Sequence, residues 1–468
     1  MVEHVRSWWL QDVLSERPAE PEVLQSDLYT DVCIVGGGFT GLWTALHIKE
    51  QDPSVDVTII EKDICGGGAS GRNGGFCMTW MSKATGILPL AGGQEGVRLL
   101  RAFEDGVKTI GQFCRDHDID ADFRHDGWLW TATNSAQLDS WRMTVELLDR
   151  YGLHPFEELS QEELMRRSGS KEHLAGVFEA GVASVHPAKL SRGLARVAKS
   201  KGIRIHEGTA MLELLRDTQP GVRTPNATVR ATTVVLALNA WAHELPEFRR
   251  SILPVAPDAI MTEPVPDLLQ DLGYDNGMVI SDSRLQVDYY RTTVDGRITL
   301  GKSGGMIPFA GRVGERFDTP SPRVDQVRNR LITLYPRLRD VPIAAAWRGP
   351  ASRTVTGMPF FGHLPACQRI IYGHGYNGNG VGPSYTGGKI LASLALELND
   401  EWSNTPLVMH RKPKAFLPPE PIRYLGAQVV RAAIERRTRI EDGANKADWI
   451  TRTLADLNPG GLTPSGGD

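Results

Sequence analysis

The chain has 468 residues, of which 41% are hydrophobic and 23% are charged, and its formal net charge is −4. This length and composition are typical of a globular protein with two or three domains, and the charge argues against nucleic acid as a partner. No apolar stretch is long enough to cross a bilayer and the first residues lack a signal-peptide pattern, so the sequence predicts a cytoplasmic protein without membrane contact. Five scattered cysteines without C-x-x-C spacing argue against a disulfide framework and against a metal site.

Residues 1–30 are predicted to form an N-terminal arm. Trp8 and Trp9 are adjacent in this arm, ahead of the first predicted strand. Two large apolar side chains need burial, so packing against the main body is the favoured interpretation. The alternative is that they form the roof of a pocket.

The best-defined motif joins a short apolar strand, residues 31–35, through the pattern G-x-G-x-x-G to a helix over 41–50. A second predicted strand, 55–60, ends at Glu61, twenty residues after the last glycine. The glycines permit a tight turn, close approach to a pyrophosphate and close helix packing, and the acid is placed to bind a ribose. This context predicts a dinucleotide-binding unit. Its glycines are Gly36, Gly38 and Gly41.

A second glycine-rich segment, residues 66–75, contains six glycines among ten residues. A flexible linker can have this composition. This segment is short, follows the ribose-binding acid closely and carries Arg72 and Asn73 at its centre, so it is predicted to approach a large planar ligand. Ser70 and Arg72 would contact anionic oxygens, and Asn73 would supply amide hydrogen bonds.

The next part of the chain alternates helices and strands. Helical periodicity covers residues 94–116 and 135–151. Between them, a predicted strand over 123–130 places Trp128 and Trp130 on one face.

Two further predicted strands, 203–206 and 229–238, follow a helix that begins at Pro187 and return to the nucleotide-binding sheet. The second of these strands ends at Asn239 and Ala240. A second phosphate contact and an ordinary turn are equally good interpretations of this end.

Residues 287–302 are predicted to form a β-hairpin around the turn Asp295-Gly296. Alternation of side chains puts Tyr289 and Tyr290 on opposite faces of the sheet. One of the two tyrosines is therefore expected to face a pocket.

The C-terminal part repeats the order strand, glycine loop, helix. A strand over 369–372 precedes the glycine-rich residues 373–382, and a helix follows over 388–397. The alternatives are an ordinary turn and a second helix N-terminus aimed at an electron-rich ligand edge. Two such loops at opposite ends of the chain predict one long ligand held from both sides, whereas NAD needs only the first.

Residues 424–439 have an amphipathic pattern that predicts a helix. This helix either covers the nucleotide-binding domain or pairs with a partner subunit, which would make the protein a homo-oligomer. Residues 458–468, rich in Gly and Pro, are predicted to be disordered.

Together these motifs resemble the FAD-dependent amine and D-amino-acid oxidase (DAO) family, with the nearest likeness to its gamma-glutamylputrescine oxidoreductase-like members. The resemblance covers about residues 7–400 and includes the segment 184–190 and Tyr290-Arg291. It implies an α/β (α+β) fold of two domains, a Rossmann-like FAD-binding domain and a sheet-rich substrate domain. The implied divisions are 31–95, 165–250 and 345–400 for the discontinuous FAD-binding domain, 96–164 and 251–344 for the substrate domain, and 401–468 for a C-terminal helical extension and tail.

The resemblance also implies which residues hold FAD. The first glycine loop would hold the pyrophosphate, and the acid after the second strand would bind the ribose. The second glycine-rich segment would lie along the isoalloxazine ring, and the C-terminal loop would face the pyrimidine edge of that ring. The implied FAD-binding residues are Gly36, Gly38, Phe39, Thr40, Gly41, Glu61, Lys62, Gly68, Ala69, Ser70, Arg72, Asn73, Gly74, Gly75, Asn239, Ala240, Gly378, Asn379, Gly380 and Val381.

Departures from the family pattern bear on the substrate and on the cofactor link. Ala351 stands where glycine-oxidase-like members have an arginine that binds the substrate carboxylate. This argues against an α-amino acid unless Arg348 or Arg353 substitutes. Some relatives bond the flavin covalently through a histidine, and Asn73 stands at that position. Others use a cysteine, whose position falls near Ala351. FAD is therefore expected to be non-covalent.

The implied reaction oxidises a primary or secondary amine by hydride transfer to flavin N5, after which the imine is hydrolysed to an aldehyde or keto product plus an amine or ammonia. O2 is the expected electron acceptor and would give H2O2. Thr299 stands where sarcosine-oxidase-like members have an oxygen-activating lysine, so a dehydrogenase with another acceptor is an alternative. The candidate catalytic residues are Tyr290, Trp347 and Lys302.

Two other functions compete with amine oxidation. An NADPH-dependent flavin monooxygenase usually has a G-D segment late in its FAD domain, and this chain has Gly373-His374 there. A non-catalytic, FAD-stabilised binding protein would hold a flavin that no amine reduces.

Overall fold

The computed structural model describes residues 5–408 and 417–458. The first four residues of the predicted N-terminal arm, and residues 459–468 of the predicted disordered tail, lie outside the described part of the chain. The described residues form two large sheets and one small one. Helices pack against both of the large sheets.

Nineteen strands, numbered in chain order, make up the sheets of the described residues. They are β1 Leu28–Val35, β2 Val57–Ile60, β3 Phe76–Cys77, β4 Trp128–Ala132, β5 Phe156–Glu158, β6 Ala175–Glu179, β7 Ala183–Ser184, β8 Arg204–His206, β9 Glu213–Leu215, β10 Gly221–Arg223, β11 Thr228–Leu236, β12 Ile252–Thr262, β13 Val279–Asp282, β14 Asp288–Thr292, β15 Ile298–Met306, β16 Ile343–Arg348, β17 Ala351–Thr354, β18 Phe360–Leu364 and β19 Cys367–His374.

The α-helices follow the same numbering by chain order. They are α1 Trp8–Glu16, α2 Phe39–Gln51, α3 Ala84–Ala91, α4 Gly93–Asp116, α5 Arg142–Asp149, α6 Gln161–Ser168, α7 Pro187–Ser200, α8 Pro266–Leu272, α9 Val324–Leu334, α10 Pro383–Ala395, α11 Ile422–Asp442 and α12 Trp449–Asp456.

The first sheet has the order β18-β19-β11-β1-β2-β8, with β9 and β10 attached beyond β11. Strand β1 pairs in parallel with β11 and β2, and β8 pairs in parallel with β2. The predicted return of residues 203–206 and 229–238 to the nucleotide-binding sheet is therefore confirmed. Val32 to Val35 are almost fully buried, as expected of a parallel strand covered on both faces.

Helix α2 lies against α10, so the two predicted glycine-loop helices are neighbours. A Cβ atom at Gly388 would lie 2.6 Å from the Cβ of Trp43, which shows that this glycine permits the close approach of the helices. Both helices begin at the same region of the sheet, which brings the glycine loops from opposite ends of the chain together.

The second sheet has the order β16-β12-β15-β14-β13-β4-β6-β5, and β17 pairs with the outer part of β12. The predicted hairpin is confirmed as β14 and β15, with Tyr290 paired opposite Leu300. Trp128 and Trp130 share one face of β4, and their rings stack with centroids 5.2 Å apart.

Several boundaries differ from the sequence predictions. Strand β6, predicted within the 165–250 part of the FAD-binding domain, pairs in the second sheet, as do strands β16 and β17, predicted largely within its 345–400 part. The predicted helix over 135–151 is confined to α5, because Asp139 has a left-handed φ of 62° and interrupts it. Pairing across a sheet is a tertiary property, and local periodicity does not report it.

The N-terminal arm packs against the main body, which resolves the two interpretations of its tryptophans. Trp9 is 1% exposed and contacts Trp347 and His186. The Ser7 hydroxyl donates a hydrogen bond to the carbonyl of Gly71. The arm therefore supports the second glycine-rich segment from behind and forms no roof over a pocket.

The predicted amphipathic helix is α11, which packs against α12. Its C-terminal residue Asp442 forms an ion pair with Arg284 in the loop between β13 and β14. None of the described helices is long and apolar enough to cross a membrane.

Candidate functional site

The first glycine loop is built as the motif predicts. A Cβ at Gly41 would lie 2.0 Å from the carbonyl oxygen of Gly36, so this glycine lets α2 pack closely against the loop. Gly36 has φ +113° and lies against the carbonyl of Ala237. The backbone N–H of Gly37 donates a hydrogen bond of 2.8 Å to the Glu61 carboxylate, which fixes this acid beside the loop.

The second glycine-rich segment folds back over the start of α2. The Ser70 hydroxyl accepts a hydrogen bond from the Phe39 N–H. Asn73 donates to the carbonyls of Ala69 and Ser70 and accepts from the Gly75 N–H, so its amide organises the segment itself.

Arg72 is also committed within the chain. Its Nε donates to the carbonyl of Gly67, and its Nη1 lies 2.6 Å from the carboxylate of Asp318. This guanidinium therefore links the segment to the loop after β15, and its predicted contact with an anionic ligand stays a prediction.

The C-terminal glycine loop meets the same region. Asn377 accepts a hydrogen bond of 2.8 Å from the backbone N–H of Thr354, which ties the loop to β17. The Trp80 indole donates a hydrogen bond of 2.9 Å to the carbonyl of Asn379. The two alternatives for this loop are resolved in favour of a helix N-terminus that borders a cavity.

One cavity of about 870 Å³ runs from the nucleotide end of the first sheet to the face of the second sheet. This volume lies toward the upper end of the range for pockets that bind small molecules and cofactors. The cavity is lined by nearly all the predicted FAD-binding residues: Gly36, Gly38, Phe39, Thr40, Glu61, Lys62, Gly68, Ala69, Ser70, Arg72, Asn73, Gly74, Asn239, Gly378, Asn379, Gly380 and Val381.

Three predicted FAD-binding residues lie outside the cavity lining. Gly41 has the packing role described above. Gly75 has φ +77° and lies against the carbonyl of Val185. Ala240 is fully buried in an apolar cluster with Ala256 and Phe317, so of the two residues at this strand end only Asn239 lines the cavity.

The three predicted catalytic residues do not line the cavity, and their assignment is therefore corrected. Tyr290 is 1% exposed, faces the opposite side of the second sheet and forms a hydrogen bond with His173. Trp347 is fully buried, and its indole donates to the carbonyl of Arg72. Lys302 lies 2.7 Å from the Asp288 carboxylate, on the same face as Tyr290.

The wall of the cavity at the second sheet is aromatic. Tyr289 lines it, and its ring lies against Gly74 and Gly301. The ring of Phe76 is 5.8 Å from that of Tyr289, in an edge-to-face arrangement. The stacked pair of Trp128 and Trp130 completes this wall. Alternation predicted that one of the two hairpin tyrosines faces a pocket, and it is Tyr289.

Two cationic residues, Lys83 and Arg353, lie at the second-sheet side of the cavity, and the sequence did not predict that they share it. Lys83 is the last residue of a short 3₁₀ turn, residues 81–83, and lines the cavity, as does Arg353 of β17. Burial and the charge of Arg353 lower the pKa of Lys83 to about 8, and burial lowers the pKa of Arg353 to about 10. No sequence pattern marked Lys83, because its position depends on the left-handed turn at Trp80.

Glu179 of β6 lies behind the cavity wall, where it accepts a hydrogen bond from Thr79. Burial raises the pKa of its carboxyl to about 8, with a smaller contribution from Glu104. In the folded protein the group is therefore protonated at neutral pH, whereas in the unfolded chain it ionises near pH 4.5. The contribution of protonated Glu179 to the free energy of unfolding is therefore complete below about pH 4.5. It decreases as the pH rises and is lost at about pH 8.

We therefore expect Glu179→Gln to flatten the pH dependence of unfolding. The free energy of unfolding of the wild type, relative to the variant, should fall by up to about 1.4 kcal/mol per pH unit between pH 5 and 8. Urea unfolding of both proteins at several pH values measures this difference. Glu158→Gln on the neighbouring strand β5 is an exposed control, and parallel curves for Glu179→Gln and the wild type would contradict the prediction.

The geometry fits FAD. The cradle at the start of α2 is open because Gly38, its N-cap residue, has no side chain, and a Cβ there would lie 2.9 Å from the Ser70 hydroxyl. The free N–H groups of a first helical turn favour a phosphate. Among the described residues that line the cavity there is neither a histidine nor a cysteine.

Comparison with known proteins gives one family. The model of the FAD dependent oxidoreductase (DAO) family matches residues 31–394. Gamma-glutamylputrescine oxidoreductase of Escherichia coli is 30% identical over 412 residues, which cover 87% of this chain and 93% of the relative. Glycine oxidase of Geobacillus kaustophilus is 26% identical over 379 residues, which cover 78% of this chain and 92% of the relative.

Solved structures show the same fold. The crystal structure of glycine oxidase from Geobacillus kaustophilus aligns with a TM-score of 0.67 at 21% identity, over 82% of this chain and 99% of the other. L-amino acid deaminase from Proteus myxofaciens aligns with a TM-score of 0.66 at 18% identity, over 88% of this chain and 98% of the other.

Proposed function

Because the chain belongs to the FAD dependent oxidoreductase (DAO) family, we propose that it oxidises the C–N bond of a small-molecule amine and holds FAD without a covalent bond. The predicted family, the fold class and the assignment as a FAD-dependent oxidoreductase acting on amines or amino acids are confirmed by the family match and the relatives. The single observation that carries the finer proposal is the continuous cavity between the nucleotide loops and an aromatic wall.

The residues of the wall account for substrate positioning. When bound, FAD supplies the acceptor for a hydride from the carbon next to the substrate nitrogen. Tyr289, Trp128 and Trp130 present apolar ring faces that exclude water and hold an alkyl chain. An apolar wall also penalises an ammonium cation, which favours the neutral amine needed for oxidation.

The oxidised product is an imine, which water hydrolyses to a carbonyl compound plus an amine or ammonia. We propose O2 as the electron acceptor, with H2O2 as its product. A dehydrogenase with another acceptor is the second candidate, because Lys302 is held by Asp288 and Thr299 donates its hydroxyl to the carbonyl of Ile260. Neither side chain therefore supplies a cation at the predicted position for oxygen activation.

The test is anaerobic reduction of the flavin. Purified holoenzyme is mixed with polyamines, gamma-glutamyl amines, N-methyl amines, aminophosphonates and D-amino acids, and the loss of flavin absorbance is recorded. We expect one class of amine to bleach the flavin, and admission of air then separates an oxidase from a dehydrogenase. Bleaching by NADPH and by none of the amines would support a monooxygenase and contradict the proposal.

Helix α11 of the C-terminal extension is proposed as a contact between subunits. Leu425 and Val429 are 60% and 51% exposed on it. Sedimentation of the full chain and of a variant with both residues replaced by serine measures whether a homo-oligomer depends on this face.

A further inference from the structure

Helix α11 is fixed to the main body of the protein at both of its ends. It lies beyond the part of the chain that the family model matches, which ends at residue 394. The structure describes all of its residues, and only Arg423, Ala433 and Ile434 among them are buried. From Arg423 to Asp442 the helix spans about 28 Å, at about 1.5 Å per residue. This length lets one helix reach two separate regions of the protein.

The first end is held by a buried arginine at the nucleotide side of the cavity. Arg423 donates a hydrogen bond of 2.8 Å to the carbonyl of Arg249, and its Nη2 lies 3.3 Å from Nε2 of His243. His243 belongs to the 3₁₀ turn that follows β11. Trp241 of the same turn lines the cavity, and the Nζ of Lys62 lies 4.0 Å from the centre of its ring. Arg423 therefore fixes a turn that borders the nucleotide end of the cavity.

The second end is held at the second sheet. Asp442 lies 2.6 Å from Nη1 of Arg284 and accepts a hydrogen bond of 3.0 Å from the Asn134 amide. The Arg284 side chain is 5% exposed, and its Nε donates a hydrogen bond of 2.7 Å to Asp282. Asp282 lines the cavity at the end of β13. Asp442 is therefore joined to the cavity wall through one buried guanidinium.

Between these ends the apolar contact of α11 with the main body is small. An apolar cluster joins α11 to α12, and Leu285 is the described residue of the main body that packs against it. Near the first end, the ring of Tyr424 lies edge to face with that of Phe309, at 5.4 Å between centroids. Leu425 and Val429 are exposed. A helix that is held at its ends, and that buries little apolar surface, ties two regions together more than it extends a core.

We propose that α11 is a strap that holds the nucleotide end and the second-sheet end of the cavity together around FAD, with Arg423 and Asp442 as the positioning residues at its two ends. This inference goes beyond the proposed function, because it concerns retention of the cofactor and not the amine. A strap lowers the population of the open state of the cavity, and FAD leaves from that state. Release of either end should therefore let bound FAD dissociate faster.

The first experiment releases the second end of the strap. FAD-loaded full-length protein is diluted, and the rise in fluorescence of the free FAD gives its dissociation rate. Asp442→Asn should lose FAD about three- to tenfold faster than the wild type, since one charged hydrogen bond is lost. Asp456→Asn is the matched control. Asp456 pairs with Arg437 within the extension, so its replacement leaves both ends in place and the rate unchanged.

Hydrogen exchange separates a strap from a local support. In FAD-loaded Asp442→Asn we expect exchange to rise by at least about threefold in residues 279–292, beside Asp442, and also in residues 239–250, at the other end of the helix. A residue that only supports its own loop would raise exchange in residues 279–292 alone.

A second pair of variants interrupts the strap without touching either end. Gly426 lies within α11, and an added Cβ there meets nothing within 4 Å. Proline at this position removes a helical hydrogen bond and breaks the helix, whereas alanine continues it. Gly426→Pro should therefore reproduce the faster release of FAD, and Gly426→Ala should match the wild type.

Two results would overturn the inference. One is an unchanged rate of FAD release in either Asp442→Asn or Gly426→Pro. The other is a rise in exchange that is confined to residues 279–292. Because no amine is added in these experiments, failure of the inference is distinguishable from failure of the proposed function.

Discussion

Replacement of Asp288 by asparagine is expected to lower the free energy of unfolding by about 3–5 kcal/mol, because it removes the shared carboxylate of a buried charge cluster. Asp288 is fully buried, and its oxygens lie 2.7 Å from the Lys302 ammonium and 2.8 Å from the Arg330 guanidinium. Burial alone would raise the pKa of this carboxyl, but the charges of Lys302 and Arg330 hold it below its ordinary value. Asparagine would leave the Lys302 ammonium buried without its paired carboxylate, and Arg330 would keep only Asp282, at 3.6 Å, as a paired acid.

Urea unfolding at pH 7, followed by tryptophan and flavin fluorescence, measures the effect. Asp139→Asn is the matched control, since Asp139 pairs with Arg142 through side chains that are 58% and 64% exposed, and its urea midpoint should not change. A midpoint for Asp288→Asn equal to that of the wild type would show that the cluster contributes no net stability.

Local patterns predicted the nucleotide half of the site well. The strand, glycine loop and helix around Gly36 are adjacent in the chain, and their spacing is dictated by backbone geometry. The C-terminal loop was predicted for the same reason, since Gly378 and Gly380 precede a helix. Most of the residues predicted for FAD therefore line one cavity.

Local sequence patterns could not predict the wall of the cavity at the second sheet. Alternation showed that Tyr289 and Tyr290 face opposite sides, but which side meets the cavity depends on how the second sheet lies over the first. The sequence predicts Trp347 as a catalytic residue, but this side chain is fully buried and its ring contacts Trp9 of the N-terminal arm. Lys302 lies in the predicted substrate domain and Lys83 in the predicted FAD-binding domain, and only the three-dimensional arrangement shows that the first is paired with a buried acid whereas the second lines the cavity.

A side chain at position 38, in place of Gly38, is expected to affect cofactor binding more specifically than one in place of Gly36 or Gly41. Gly36 and Gly41 lie against backbone atoms, at 2.6 Å and 2.0 Å for an added Cβ, so changes there would disturb the fold itself. Gly38 has an ordinary φ of −84°, and the only close neighbour of an added Cβ is the movable hydroxyl of Ser70. A side chain at this position projects into the lining of the cavity rather than into the protein.

We therefore expect Gly38→Val to fold but to bind FAD at least about 100-fold more weakly, because the valine fills the cradle where the helix N-terminus would meet the pyrophosphate. The flavin content after purification and FAD titration of the apoprotein measure this loss. The apoproteins of the variant and the wild type should unfold at similar temperatures, and added FAD should raise the midpoint of the wild type alone. Gly426→Val on α11, where an added Cβ meets nothing within 4 Å, should keep its flavin. Full flavin content in Gly38→Val would show that the cofactor does not approach the start of α2.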